Sequence, residues 1–161
     1  MNTKKIAYCG LLTTVALLLS YIEKILSIPM LIPGMKLGLA NVTIVIALYL
    51  FDSKTALSIS ILRILLSGIL FTGFASFLYS ASGALLSFTI MSLLQKTKRF
   101  STIAVSILGG ISHNLGQIII ACIIVENIKL FYYFPFLIVL GTITGFLIGM
   151  VADKTIYYIK R

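Results

Sequence analysis

IAVSILGGISHNLGQIIIACIIV, residues 103–125, holds no Asp, Glu, Lys or Arg. About 20 apolar residues in a helix cross the ~30 Å hydrocarbon core of a bilayer, so this stretch is long enough to span one. Its polar members are ordered. Ser106, Gly110, His113 and Gln117 recur at helical spacing and fall on one continuous face. A small and polar stripe on an otherwise apolar helix turns toward protein or a cavity, and away from lipid.

A lipid solvent also explains the rest of the chain. Of its 161 residues 60% are hydrophobic and 11% charged, whereas a soluble domain carries roughly a quarter charged residues. The mean hydropathy is +1.12. Backbone groups in lipid must be satisfied internally, so the long apolar runs are expected as helices despite their Val, Ile and Thr content. The expected fold is all-α: one transmembrane domain over residues 1–161, a polytopic bundle with spans at 6–22, 37–51, 55–71, 78–94, 103–125 and 131–151. Lys4 and Lys5 precede the first run as they would in a signal peptide. That run outlasts an h-region and lacks a small-x-small cleavage site, so it reads as the first helix. Asp52-Ser53-Lys54 forms a tight turn that makes the second and third spans a hairpin. Residues 23–36 form the longest loop; Pro29, Pro33 and Gly34 break any helix there, yet it stays apolar and is expected to pack on the bundle. Cys9 and Cys122 lie inside apolar runs without metal-ligand spacing and read as small buried hydrophobes.

The net charge of +9 is an orientation signal, and no nucleic-acid partner is expected. With the N-terminus inside, cytoplasmic segments hold Lys4, Lys5, Lys54, Lys96, Lys98, Arg99, Lys154, Lys160 and Arg161, and external loops hold only Lys24, Lys36 and Lys129. Both ends are therefore expected in the cytoplasm, in a multi-pass protein of the cell membrane. Tyr8, Tyr21, Tyr49, Tyr79, Tyr132, Tyr133, Tyr157 and Tyr158 all fall near span ends, where amphipathic rings favour the interface. Gly141, Gly145 and Gly149 line one face of the last span, and Gly34 and Gly38 open the second. Lipid is as apolar as leucine, so helices associate by close backbone approach at such positions, within the chain or with a partner.

Ionisable side chains at mid-membrane cost at least ~2.5–3.5 kcal/mol on insertion scales, so each calls for a reason. Arg63 sits mid-way along the third span and His113 mid-way along the fifth, followed by Asn114 and Gln117. The four acids, Glu23, Asp52, Glu126 and Asp153, all lie near span ends, and Glu23 is the one that could reach inward from the outer side. Two accounts of Arg63 stand: it bonds to backbone carbonyls, Asn114 or His113, or it awaits an anionic ligand. His113 is either a neutral hydrogen-bonded core residue or a proton relay. Lys36 and Asn41, at the outer end of the second span, are either an interfacial snorkelling pair or part of a ligand lining.

Much chemistry is missing. No glycine-rich phosphate loop with Lys-Ser/Thr appears, no paired aspartates for Mg²⁺-diphosphate chemistry, no Cys/His metal cluster, and no nucleophile with a base at motif spacing. These absences argue against an autonomous enzyme and against a resident metal or cofactor.

Four motifs together carry a resemblance: Pro33-Gly34-Met35-Lys36-Leu37-Gly38-Leu39-Ala40-Asn41, Leu62-Arg63, Leu78-Tyr79-Ser80-Ala81-Ser82-Gly83 and His113-Asn114-Leu115-Gly116-Gln117. The chain resembles the Gx transporter family, often labelled heptaprenyl diphosphate synthase component I. That family is similar to the substrate-binding S components of energy-coupling factor (ECF) transporters, which are six-helix proteins with both ends cytoplasmic. The resemblance implies binding of a small molecule from the outer side, and partnership with a transmembrane coupling subunit and two ATPases. S components commonly carry a small-x3-small pair on the first helix for docking; here Ala7 is followed by Leu11, and the nearest such pair is Gly10 and Thr14. The alternative label implies a membrane accessory to polyprenyl diphosphate synthesis, and a structural subunit of a membrane complex is the third class.

The expected substrate-binding lining is Lys36, Asn41, Arg63, Tyr79, His113, Asn114 and Gln117. Arg63 and Lys36 would attract negative charge while the amides orient the ligand. The basic residues favour an anionic or strongly polar head group, and the apolar first loop would tolerate an isoprenoid-like tail.

Overall fold

The computed structural model describes residues 3–26 and 35–161. Six α-helices follow one another: α1 (Thr3–Leu26), α2 (Asn41–Leu50), α3 (Ser53–Phe71), α4 (Phe74–Thr97), α5 (Thr102–Ile124) and α6 (Phe134–Lys160), with a 3-10 helix (Ile128–Tyr133) leading into α6. No strand occurs among the described residues. Among the described residues five segments are long and apolar enough to cross a membrane: Thr3–Leu26, Ser53–Phe71, Phe74–Thr97, Thr102–Ile124 and Ile128–Lys160. The chain is a multi-pass membrane protein.

Local chemistry sets the helix ends. The Asp52 carboxylate accepts the Thr55 N–H at 2.8 Å and opens α3, and Ser101 Oγ accepts the Ala104 N–H at 3.2 Å and opens α5. Lys98, left-handed at φ 55°, closes α4. Burial is inverted relative to a soluble protein. Ile69, Phe74 and Leu85 stand out from the bundle, while Ser20, Ser67, Ser80, Ser87, Ser106, Arg63, His113, Asn114 and Gln117 are inside. Lipid, unlike water, favours that arrangement.

The second span differs most from expectation. Helix runs only from Asn41 to Leu50, about 15 Å at ~1.5 Å per residue, or half the hydrocarbon thickness. The apolar residues before it are not helical, because Gly38 adopts φ +83° and turns the chain into α2. A Cβ there would also lie 2.9 Å from Asn41 Nδ2 and 3.2 Å from the His113 ring. Elsewhere the helices outrun the expected spans: α1 continues to Leu26, α4 begins at Phe74, and α6 continues to Lys160. The expected loop residues Pro29, Pro33 and Gly34 lie outside the described residues.

α2 is the hub, packing against each of the other five helices, and most of its side chains are buried. Around it run the neighbours α1–α3, α3–α4, α4–α5 and α5–α6. Among the described residues the backbones of α1 and α6 stand apart, and between them runs a groove floored by α2. That groove is a cavity of ≈ 530 Å³ lined by Leu11, Val15, Val42, Ile46, Leu147 and Val151 among others, and it holds no charged side chain. Glycine closes the α5–α6 seam: a Cβ on Gly145 would lie 2.7 Å from Ile107 Cα, and one on Gly149 2.8 Å from Ile103 Cα. The glycine stripe therefore meets a helix of this chain.

Two contacts fix how the helices alternate. Lys5 Nζ pairs with Asp52 at 2.6 Å, placing the start of α1 at the α2–α3 turn, and Ser92 Oγ donates to Ser53 Oγ at 3.0 Å, placing the end of α4 there too. Six of the eight tyrosines are exposed near helix ends, as expected of interfacial rings. Tyr79 is not one of them. It is 3% exposed and packs with Met35, Ile118, Ala121, Cys122 and Leu137, because it lies on the inner face of α4 with Gly83 and Ser87. Tyr49 is also turned inward, its hydroxyl buried. Both cysteines are free.

Candidate functional site

The inner face of α1 is Thr13, Ala16, Ser20 and Glu23, at alternating three- and four-residue steps. This spacing brings the Glu23 carboxylate under the broken segment that precedes α2. Glu23 Oε1 accepts the backbone N–H groups of Gly38 at 2.7 Å and Leu39 at 3.0 Å. From the opposite side Gln117 of α5 clamps the Lys36 peptide: Oε1 accepts the Lys36 N–H at 2.8 Å, and Nε2 donates to the Lys36 C=O at 2.8 Å. Non-helical backbone survives at membrane depth only where protein replaces water. Here one carboxylate and one amide do so.

The two clamps leave charge behind. Arg63 is 1% exposed at the middle of α3, and its Nε and Nη2 have no hydrogen-bond partner among the described residues. Lys36 Nζ, Glu23 Oε2 and both ring nitrogens of His113 are in the same position. These groups sense one another electrostatically: Arg63 and Lys36 both act on Glu23 and on His113. Yet the one ion pair in contact among the described residues is Lys5–Asp52, so Glu23 and Arg63 do not touch. The Lys36 ammonium is buried within the field of the Glu23 carboxylate. The arrangement is a buried, donor-rich cluster with unsatisfied capacity on several sides.

The expected lining residues divide into two groups. Arg63, Lys36 and His113 converge with polar atoms unspent; Lys36 is 7% exposed, so it does not snorkel. Asn41 sits with its amide against Gly38, beside the His113 ring. Asn114 and Gln117 spend their polar atoms on the protein itself: Asn114 Nδ2 donates to the Leu137 C=O at 2.9 Å, tying α5 to α6, and its Oδ1 receives a long 3.4 Å bond from Gln117. No hydrogen bond joins Arg63 to either Asn114 or His113. Tyr79 contributes its ring to the apolar cluster beside Met35. The residue absent from the expected set is Glu23, whose signal was its position as the one acid able to reach inward; Ser20 and Ser80, both with buried hydroxyls lacking a partner among the described residues, are further unexpected members of the polar interior.

The family model described as heptaprenyl diphosphate synthase component I matches residues 12–155. The chain belongs to that family. No curated protein and no solved structure matches it. In this member of the heptaprenyl diphosphate synthase component I family the matched region contains the whole buried cluster, from Glu23 on α1 to Gln117 on α5. The four carboxylates remain dispersed: Glu23 in the cluster, Asp52 at the α2–α3 turn, Glu126 beyond the end of α5, and Asp153 on α6.

Proposed function

We propose that the chain is the membrane-embedded binding subunit of a transporter, similar to the S components of ECF transporters, with a small-molecule site centred on Arg63. The observation that carries this reading is the unspent Nε and Nη2 of a fully buried arginine. A structural arginine at this depth would be satisfied by carbonyls or a carboxylate, since an unpaired buried charge works against folding. The broken segment before α2 supports the same reading, because transporters place discontinuous helices at their substrate sites.

In this reading both ends face the cytoplasm, as the excess of Lys and Arg on that side favours, and the site is reached from the outer side. A transmembrane coupling subunit and two ATPases would supply the energy. The chain has no independent catalytic activity; the dispersal of its carboxylates supports this. A second reading, a membrane accessory to polyprenyl diphosphate synthesis, draws on the family description. A structural subunit is the third.

Arg63→Ala separates binding from scaffolding. A binding site predicts that retention of small molecules by the purified protein is lost, while folded yield and helix content stay at wild-type level or rise. Collapse of folded yield with Ala would assign Arg63 a structural role.

A further inference from the structure

The unspent edge of Arg63 has a shape. Nε–H and Nη2–H lie on one side of the guanidinium and point in parallel, the side-on fork that matches two oxygens of one planar anion. Both are free of partners among the described residues. With one proton shared between Glu23 and Lys36 the pair sums to zero, ionised or neutral, and the arginine stays protonated. His113 adds none when neutral, residues 27–34 contain no ionisable side chain, and Lys24, exposed, acts on Lys36 from outside the buried cluster. One positive charge remains. On the acid side, Glu23 Oε1 is committed to Gly38 and Leu39, and Oε2 is buried with no donor among the described residues.

Resting on the reading of Arg63 as a ligand site, we infer that the ligand is a small organic monoanion. Its carboxylate docks side-on to Arg63 Nε and Nη2, and a hydroxyl or amide N–H of the same molecule donates to Glu23 Oε2. A phosphate monoester would bring more negative charge than the cluster balances, and a neutral solute would leave the fork unpaired. Lys36 Nζ supplies a further donor to the anionic end. The ≈ 530 Å³ groove between α1 and α6 plays no part, having no charged residue in its lining.

The test is equilibrium dialysis of the chain in lipid nanodiscs against a metabolite extract of its native cells. Mass spectrometry then quantifies what is enriched on the protein side. Wild type is expected to enrich a monocarboxylate bearing a hydroxyl or amide donor. Arg63→Lys keeps the charge and loses the fork, and is expected to retain it at least about tenfold less; Arg63→Met is expected to retain none. Glu23→Gln keeps the acceptor for Gly38 and Leu39 but turns a donor toward the ligand, and also lowers retention. Elution volume and helix content check that each variant is folded. An enriched species that is a phosphate, neutral or zwitterionic overturns the carboxylate assignment while the binding-subunit reading stands, as does full retention by Arg63→Lys. Enrichment no greater than in empty nanodiscs, or unaffected by Arg63→Met, overturns both.

Discussion

Replacing Gly145 by alanine tests how the bundle is held together. The added Cβ would sit 2.7 Å from both Ile107 Cα and Ser106 O. Both are backbone atoms of α5, so no side chain can rotate away. Restoring ordinary contact at 3.4 Å requires the helices to part by about 0.7 Å. That displacement loosens the Gly149–Ile103 approach one turn along and strains the Asn114–Leu137 bond further up the seam. Overpacking of this kind costs about 1–3 kcal/mol, and the loss of coupled contacts places Gly145→Ala toward the upper end. The folded-to-unfolded ratio should fall roughly thirty- to a hundred-fold at 1.4 kcal/mol per decade. Titration of the detergent-solubilised protein with SDS, followed by circular dichroism, reads the shift. Gly10→Ala is the control: nothing lies within 4 Å of its Cβ position, and its effect should stay within about 0.5 kcal/mol. Equal midpoints for the two variants would refute the glycine seam.

Three further outcomes are expected. Gln117→Leu strips both partners from the Lys36 peptide, at about 1–3 kcal/mol for each buried group left unsatisfied; trypsin should then cut at Lys36 much faster than in wild type, where that residue is buried. The Lys5 ammonium and the Thr55 N–H hold the Asp52 carboxyl at about 2, below its ordinary 3.8. A depressed folded-state value means its contribution is complete above pH ~4 and lost as pH falls toward 2, so an acid titration of stability should show a step there that Asp52→Ala lacks. Single cysteines in a background free of Cys9 and Cys122 should label from outside at Lys129 and from the cytoplasm at Lys98; the reverse pattern would invert the orientation.

Much of the fold was legible because lipid imposes simple rules. The stripe Ser106, Gly110, His113 and Gln117 is buried as its spacing demanded, and the glycines of α6 make the close approach that small residues allow. The break before α2 was not legible. Leu37, Leu39 and Ala40 are as apolar as any helix, and hydropathy carries no record that Gly38 takes a positive φ. The candidate site was half legible. Arg63 announced itself by cost, since a cation at that depth needs a reason. The amides of Asn114 and Gln117 looked like ligand contacts, but their partners are the Leu137 and Lys36 backbones, 23 and 81 residues away in sequence. Only tertiary structure brings those together. Glu23 stood out as the one acid able to reach inward, and its helical phase with Ser20 and Ala16 does turn it inward, but its partners, the Gly38 and Leu39 backbone N–H groups, were not legible.

A binding subunit of a larger transporter should be held by its energising partners in the native membrane. Affinity purification of the tagged protein from its native membrane in mild detergent, with mass spectrometry of everything retained, tests it most directly. A transmembrane coupling subunit and ATPases are expected among the retained proteins. Recovery of a soluble prenyl synthase with no ATPase would contradict it and favour the accessory-subunit reading.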